Sequence, residues 1–319
     1  MSIISKDIQK AVDLLTAEQL VAIPTETVYG LAGNIFSEKA IKSIFSTKKR
    51  PFFNPLIVHI PSVNSLDSIV TDIPEKAKKL ANAFWPGSMT LVLKKSDKIP
   101  DLITANKNTV AVRVPNHPTT LKLLQKLPFP LAAPSANPFG SISPTNAKHV
   151  EGYFKNDIKM VLDGGACTNG IESTIIGFEN DEPVIYRLGA LALEEIEAVV
   201  GDIKIKNKKE TSPDAPGMLA RHYAPSTKTI LVEDIASVIK NFSNKKIGVI
   251  VFKNSLNNDS LTEIILSKKG DLTEAASNLY DTLHLLDKQN LDIIIAERFP
   301  DFDLGKSIND RLNRATFSL

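Results

Sequence analysis

The amino-acid sequence predicts an α/β protein with two domains, a larger mixed domain followed by a smaller doubly wound one. Its 319 residues, 43% of them hydrophobic, exceed one typical domain and supply apolar side chains for two cores. Short apolar runs of strand length recur between segments whose apolar residues have helical spacing. Near residue 205 this rhythm breaks into charged residues, prolines and small residues, a composition typical of linkers. We therefore predict domains at 1–205 and 227–319, joined by a linker at 206–226.

The first domain is predicted to begin with an amphipathic helix that Ser5 caps, because apolar residues follow Ser5 at helical spacing. Ser37 is predicted to cap a second helix, and two more helical patterns cover 74–84 and 119–127. Apolar runs typical of strands lie at 20–23, 56–60, 90–93, 110–114, 160–162, 174–178 and 184–186. Strands and helices do not alternate regularly here, so we expect a mixed α and β domain.

The second domain has a more regular pattern. Strands are predicted at 229–232, 247–251 and 293–296. Helices are predicted to end near residue 239, to cover 272–286, and to end near residue 314. Because strands and helices alternate, this part is predicted to be a small Rossmann-like α/β domain.

Composition excludes several classes of protein. Thirty-eight basic and 36 acidic residues leave a net charge of +2, so nothing global indicates a nucleic-acid binder, although a local basic groove remains open. The one cysteine, Cys167, cannot form an intramolecular disulfide, which fits a reducing compartment. The first ten residues lack a signal-peptide core, and the longest apolar runs are of strand length. We therefore expect a soluble cytoplasmic protein without a membrane partner.

Candidate binding residues lie in the loops between these elements, where binding groups usually occur. A hydroxyl-rich loop at 24–31 follows the first strand-like run. A second loop, stiffened by two prolines, presents Lys48, Arg50 and Asn54, and it leads to a strand that ends at His59. Arginine offers a planar fork that matches phosphate, and a rigid cationic loop suits a triphosphate. An ordinary solvated basic loop remains the alternative.

Two arginines stand inside apolar strand-like runs, Arg113 in 110–114 and Arg187 in 184–188. A buried charge needs a partner, so each arginine forms a structural salt bridge or binds an anionic ligand. Two such arginines favour one shared anion. Small and hydroxyl-bearing residues at 131–145, including Ser143, and a glycine- and hydroxyl-rich loop at 170–174 would let a ligand approach the backbone.

Common nucleotide and metal motifs are absent from the sequence. It has no Walker phosphate loop, no dinucleotide-binding glycine motif and no Gly-x-Ser-x-Gly elbow. No Cys/His cluster predicts a zinc site. The residues alone thus predict an anion-binding pocket in a two-domain α/β protein, without naming its substrate.

Several segments, in this order and spacing, resemble the YrdC-type threonylcarbamoyl-adenylate synthase family in its long two-domain form. The matching segments are 24–31, 48–59, 84–91, 110–115, 133–137, 170–175, 186–189 and 216–225. The resemblance implies a first domain with a twisted sheet around a basic cavity. It also implies a reaction in which threonine, bicarbonate and ATP give threonylcarbamoyl-AMP and pyrophosphate, for later transfer to tRNA by a separate threonylcarbamoyl transferase.

The resemblance also implies roles for individual residues. Threonine would contact Thr27, His59, Arg113, the Ala133 backbone and Ser173. ATP would contact Arg50, Asn54, Thr109, Ser135, Ser143, Arg187 and Tyr223. Lys48 and Arg50 would act on the phosphates as catalytic residues, and Tyr223 would help to close the cavity from the linker. Mg²⁺ would arrive with ATP without protein ligands of its own, and no organic cofactor is expected.

Three other functions remain open on the sequence alone. The first is a non-catalytic RNA-binding module, since a basic cavity also suits phosphate backbones. The second is a carbamoyl transferase that uses carbamoyl phosphate, although the chain lacks the cysteines of the zinc-binding module that such an enzyme would need. The third is a regulator whose second domain senses a nucleotide. Direct contact between the protein and tRNA is left open.

Overall fold

The computed structural model of the chain describes residues 3–206, 216, 222–242 and 244–316. Within these ranges sixteen strands pair into two sheets, one of twelve strands and one of four. Most of the predicted linker therefore lies outside the described residues, apart from 206, Pro216 and 222–226. The two domain boundaries stay predictions.

The larger sheet takes its strands from the first two thirds of the chain. They are β1 (Ile3–Ser5), β2 (Val21–Ile23), β3 (Gly30–Asn34), β4 (Ile57–His59), β5 (Val70–Asp72), β6 (Met89–Lys95), β7 (Thr109–Arg113), β8 (Leu131–Ala132), β9 (Met160–Leu162), β10 (Thr174–Glu179), β11 (Glu182–Arg187) and β12 (Lys204–Ile205). The helices around it are α1 (Ile8–Thr16), α2 (Glu38–Lys48), α3 (Glu75–Phe84), α4 (Asp101–Thr104), α5 (Pro118–Lys126), α6 (Ala147–Phe154) and α7 (Leu193–Val200), with a 3₁₀ turn at Val63–Ser68.

This sheet is mixed, as the irregular sequence pattern predicts. The strand order is β1-β9-β2-β3-β8-β4-β7-β6-β10-β11-β12, and β5 pairs with β6. β4 and β7 run parallel, with His59 opposite Arg113, whereas β8 runs antiparallel to β4. Every residue of β2, β4 and β9 is buried. The register of β4 and β7 places two of the candidate site residues side by side.

The smaller sheet is parallel throughout and confirms the predicted doubly wound pattern. Its order is β13-β16-β14-β15. The elements are β13 (Thr229–Val232), α8 (Ile235–Val238), a 3₁₀ turn (Ile239–Phe242), β14 (Ile247–Val251), β15 (Thr262–Ile265), α9 (Leu272–Asp287), β16 (Ile293–Glu297) and α10 (Leu304–Ala315). β15 was not predicted, because it contains Thr262 and Glu263 and is only half-buried.

Of the two predicted helix caps, one is confirmed and one is wrong. Ser37 caps α2 as predicted, and its hydroxyl accepts a hydrogen bond from the Ala40 N–H. The cap predicted at Ser5 is wrong, since Asp7 caps α1 and Ser5 ends β1. Strand β1 lies at the edge of the sheet against β9, and three residues are too few to show a period.

The two sheets are joined by a shared apolar cluster. Val28, Ile142 and Ile171 of the first domain pack with Leu279 and Leu283 of α9. An L-residue at position 170 would place its Cβ 2.3 Å from the Ser277 carbonyl oxygen, so only glycine allows α9 to come this close. Helices α9 and α10 therefore lie directly behind the loops that carry the candidate site residues.

Candidate active site

The candidate site is a pocket between the larger sheet and the segment that enters the second domain. Its walls come from the loops before β3 and β10, the ends of β4, β7, β8 and β11, and the residues 216, 222 and 223. The lining residues are Thr25, Thr27, Val28, Gly30, Arg50, Ile57, His59, Arg113, Ala133, Pro134, Ser135, Glu172, Ser173, Arg187, Pro216, His222 and Tyr223. Nine of the thirteen site residues implied by the resemblance thus lie on one pocket: Thr27, Arg50, His59, Arg113, Ala133, Ser135, Ser173, Arg187 and Tyr223.

Close backbone packing forms the floor of this pocket. β3 begins at Gly30, which bridges to Ser135 just after β8. A Cβ at position 30 would lie 3.1 Å from the Ala133 Cβ and 3.3 Å from its carbonyl oxygen. A side chain at position 30 would therefore crowd the Ala133–Ser135 segment, and glycine keeps this segment against β3.

Two buried arginines give one side of the pocket a positive charge. The Arg50 guanidinium donates to the Asn54 backbone oxygen (3.1 Å), the Asn54 Oδ1 (2.7 Å) and the Pro55 oxygen (2.8 Å). The Arg187 guanidinium donates to the Ser173 and Pro216 carbonyl oxygens. Among the described residues, no carboxylate is hydrogen-bonded to either guanidinium.

The electrostatics of these arginines indicate an anion site. Burial and, secondarily, the charge of Arg187 lower the pKa of Arg50 to about 9. Burial likewise lowers the pKa of Arg187. Both cations are thus held in a low-dielectric environment without a direct counter-charge, and a bound anion would relieve that cost.

Lys48 and Asn54 stand behind the pocket wall rather than on it. Lys48 ends α2, and its Nζ donates to the Ser135 and Asn137 carbonyl oxygens. Burial, followed by the nearby charge of Arg50, lowers the pKa of Lys48 well below its ordinary value. The Asn54 Oδ1 holds Arg50, while its Nδ2 is buried without a partner in the described chain. Both residues therefore position groups that do line the pocket.

The sequence left open whether Arg113 forms a structural salt bridge or binds an anionic ligand, and the structure is compatible with both. Its Nη2 donates to the Glu26 Oε1 at 2.6 Å, a buried salt bridge. Its Nη1 donates to the Thr27 Oγ1 (2.9 Å) and its Nε to the Gly87 oxygen (3.1 Å). Arginine has five N–H donors, so two remain for a ligand in the pocket. Arg113 is thus paired with Glu26 and still has donors that could bind a ligand.

His59 lies opposite Arg113 in the register of β4 and β7. Burial, together with the charge of Arg113, lowers the pKa of His59 to about 3. The ring is therefore neutral near pH 7. His59 lines the pocket, and its Nδ1 is buried with no hydrogen-bond partner in the described chain.

Two predicted ATP contacts do not lie on the pocket wall. Ser143 is buried, and its Oγ donates to the Glu172 Oε1 at 2.5 Å. Thr109 begins β7, whereas Arg113 ends it, and four residues of strand span roughly 13 Å. The structure therefore brings Ser143 to the pocket only through Glu172, and it separates Thr109 from the Arg113 end.

Glu26, Glu172 and His222 contribute to the site although the sequence did not single them out. Glu172 lines the pocket and accepts hydrogen bonds from Tyr280 and Arg311, two residues of the second domain. His222 lines the pocket beside Tyr223, and the two rings meet edge to face at 4.1 Å. Both residues lie in segments that carry the resemblance, and an acidic residue in a hydroxyl-rich loop was the available signal for Glu172.

In the described part of the chain, no three His, Cys, Asp or Glu side chains cluster so as to hold a metal ion. None of the helices there is long and apolar enough to cross a bilayer.

Two family models match the chain in succession. The model described as "Telomere recombination" (Sua5_yciO_yrdC) matches residues 13–189. The model described as "Threonylcarbamoyl-AMP synthase, C-terminal domain" matches residues 191–316.

Curated relatives and a solved structure resemble the chain over almost its whole length. A Pyrococcus abyssi protein named threonylcarbamoyl-AMP synthase is 43% identical over 97% of this chain and 94% of its own. A Bacillus subtilis protein of the same name is 39% identical over 97% of this chain and 92% of its own. The crystal structure of P. abyssi Sua5 complexed with L-threonine superposes with a TM-score of 0.91 at 40% identity, covering 99% of this chain and 97% of that one.

Proposed function

The chain belongs to the threonylcarbamoyl-AMP synthase family, and we propose that it joins L-threonine, bicarbonate and ATP into threonylcarbamoyl-AMP with release of pyrophosphate. One observation carries this proposal beyond the family. A single pocket contains two buried arginines without carboxylate partners, Arg50 and Arg187, and a third arginine, Arg113, with two unused N–H donors. The reaction needs sites for a triphosphate and for an amino-acid carboxylate, and the pocket offers both.

ATP would occupy the side of the pocket formed by Arg50 and Arg187. Their guanidinium groups suit phosphate oxygens, because charge-assisted bonds from a planar fork fix both position and charge. Ser135 and Tyr223 would complete this side, while Lys48 and Asn54 would hold the Ser135 segment and Arg50 in place. Roles for Ser143 and Thr109 rest on the resemblance, and Ser143 would act through Glu172.

Threonine would occupy the side formed by Arg113, Thr27 and His59. The two free N–H donors of Arg113 suit a carboxylate, and its salt bridge to Glu26 keeps the fork in place. The Ala133 backbone and the Ser173 hydroxyl would contact the rest of the amino acid. The Ser173 Oγ lies 2.8 Å from the Thr90 Oγ1 and 3.1 Å from the Arg187 Nη2, so this proposed threonine contact touches an arginine of the proposed ATP side.

The chemistry then asks mainly for positioning. The threonine amine attacks bicarbonate, water is lost, and a carbamate forms. A carbamate oxygen attacks the α-phosphorus of ATP, the bond to the bridging oxygen breaks, and pyrophosphate leaves with that electron pair. Arg50 and Arg187 would stabilise the charge on the phosphates during this step. Carbamates lose carbon dioxide in water, so the buried walls would also protect the intermediate.

Other parts of the function remain within this proposal. Mg²⁺ would enter as part of the Mg–ATP substrate. A separate transferase would use the product to modify tRNA, and the protein would work in the cytoplasm. Direct contact with RNA is not required by the pocket chemistry.

The test is incubation of the purified chain with labelled ATP, Mg²⁺ and bicarbonate, with and without L-threonine, while pyrophosphate and the labile adenylate are followed. We expect release of pyrophosphate that depends on threonine and is matched by adenylate. Serine in place of threonine serves as the matched control for the amino-acid subsite. A folded protein that binds RNA in a salt-dependent manner but consumes no ATP would overturn the proposal in favour of an RNA-binding module.

A further inference from the structure

Glu172 is the one acidic side chain among the described residues that line the pocket. A carboxylate in a pocket for ATP needs an explanation, because it would repel phosphates. It would also compete with the nucleotide for the pocket arginines. The contacts of Glu172 show how the fold stabilises this negative charge.

Both oxygens of Glu172 are hydrogen-bonded to groups other than the pocket arginines. Its Oε1 accepts from the Ser143 Oγ at 2.5 Å. Its Oε2 accepts from the Tyr280 hydroxyl at 2.9 Å and from the Arg311 Nε at 2.8 Å. Burial alone would raise the pKa of Glu172, but Arg311, Arg187 and the Ser143 hydrogen bond outweigh it and lower the pKa to about 2. The carboxylate is therefore ionised near pH 7.

Arg311 lies on α10 in the second domain and is 1% exposed. Besides Glu172, its guanidinium donates to the Asp310 Oδ2 at 2.8 Å and to the Leu188 oxygen at 2.7 Å, and it lies 4.9 Å from the centre of the Tyr223 ring. Leu188 directly follows Arg187. One side chain of the second domain thus contacts the acidic residue of the pocket, the neighbour of a pocket arginine and an aromatic residue that lines the pocket.

Arg187 is electrostatically coupled to Glu172 but is not its hydrogen-bond partner. Each charge affects the pKa of the other. Nevertheless the Arg187 donors go to the Ser173 oxygens and to the Pro216 oxygen. A Glu172 carboxylate without Arg311 would have Arg187 as a cationic partner in the same pocket.

We propose that Arg311 is a positioning residue that neutralises Glu172 and holds it away from Arg187, so that Arg187 stays available for the phosphates of the nucleotide. This inference rests on the proposed function, because it assigns the pocket to ATP. It gives the second domain a defined part in the reaction. Arg311 itself does not line the pocket, so it acts through Glu172.

Tyr280 allows the charge effect to be separated from hydrogen bonding. Its hydroxyl donates to the same Oε2 as Arg311, and its ring stacks on Tyr223 at 5.7 Å. Tyr280→Phe removes one hydrogen bond from an uncharged donor and leaves the charge of Arg311 in place. We therefore expect a much smaller loss of ATP affinity from Tyr280→Phe than from Arg311→Gln.

The decisive experiment compares Arg311→Gln, Glu172→Gln and the double variant by calorimetric titration with Mg–ATP, together with steady-state KM and kcat. Arg311→Gln is expected to weaken ATP binding about tenfold or more, the order of one charge-assisted contact. The double variant is expected to recover most of that loss, because no free carboxylate remains to engage Arg187. The threonine KM should change less than the ATP KM. Ser307→Ala, which removes a hydrogen bond from α10 to the Gly189 oxygen, is the matched control for domain docking.

Two outcomes would overturn the positioning role. One is a folded double variant that binds ATP as weakly as Arg311→Gln does. The other, for the case that Arg311→Gln fails to fold, is a double variant that binds ATP tenfold more weakly than wild type. Equal losses of ATP affinity from Ser307→Ala and Arg311→Gln would assign the effect to domain docking. That result would also refute the positioning role of Arg311. A wild-type chain that binds no Mg–ATP would refute the proposed function, and this inference with it.

Discussion

Arg50→Met tests whether the pocket stores electrostatic strain that a nucleotide relieves. The lowering of the Arg50 pKa from its ordinary value to about 9 corresponds to about 5 kcal/mol of unfavourable energy for the charged group, at about 1.4 kcal/mol per pH unit. Methionine removes this cost, and its apolar side chain has about the length of the aliphatic stem of arginine. It also removes three hydrogen bonds to Asn54 and Pro55, which contribute about 1 kcal/mol each or more once their acceptors are left unpaired.

These two effects nearly cancel in the free protein. We therefore expect the melting temperature of Arg50→Met without nucleotide to stay within about 6 °C of wild type, since about 1 kcal/mol moves Tm by a few degrees in a chain of this size. With Mg–ATP at about a hundred times its Kd, wild type should gain about 2.7 kcal/mol and melt several degrees higher. Arg50→Met should lose that gain and lose adenylate formation by about a hundredfold or more.

The assay is thermal unfolding with and without Mg–ATP, followed by measurement of pyrophosphate release. Arg298→Met is the matched control, because Arg298 is a partly exposed arginine of the second domain that lies 3.6 Å from Glu233. It should keep the full nucleotide-dependent rise in Tm. A drop of more than about 10 °C in nucleotide-free Arg50→Met, or a retained response to ATP, would refute the reasoning.

Three further predictions concern other parts of the molecule. Arg113→Lys removes the fork and should raise the threonine KM about tenfold with ATP affinity unchanged; equal effects on both substrates in titrations would contradict it. Removing 227–319 uncovers Val28 and Ile171, so the truncated chain should bind an apolar dye and turn over slowly, and full turnover would refute this. The stacked rings of His149 and His284 have pKa values lowered to about 4, chiefly by burial, so the unfolded chain binds more protons between pH 4 and 6.5. Stability should therefore fall as the pH drops through that window, and less steeply in His284→Gln by thermal unfolding.

The sequence was most informative where apolar runs were long. Strand β14 and the helix α9 were predicted within one residue, because five buried apolar residues and a sustained helical period leave few alternatives. Short or polar strands were missed. β8 has two residues and β15 carries Thr262 and Glu263, and pairing with neighbouring strands rather than local pattern determines both.

The candidate site was predictable only in part, for a related reason. Arg50, Arg113 and Arg187 were recognisable as charges in rigid or apolar surroundings, and all three line the pocket. The salt bridge between Glu26 and Arg113 joins residues 87 positions apart. The contact between Glu172 and Arg311 spans 139 positions and crosses two domains. Such pairings depend on topology, which no local pattern contains.

The placement of the second domain also bears on its role. In parallel α/β sheets, ligands usually bind beyond the carboxyl ends of the strands. Here the described contacts with the pocket come instead from the helices α9 and α10, through Tyr280 and Arg311. The doubly wound fold therefore does not by itself make this domain a nucleotide sensor, because fold and function are separate arguments. Its helices hold a carboxylate and cover an apolar surface next to the pocket, so the second domain supports the wall of the active site from behind.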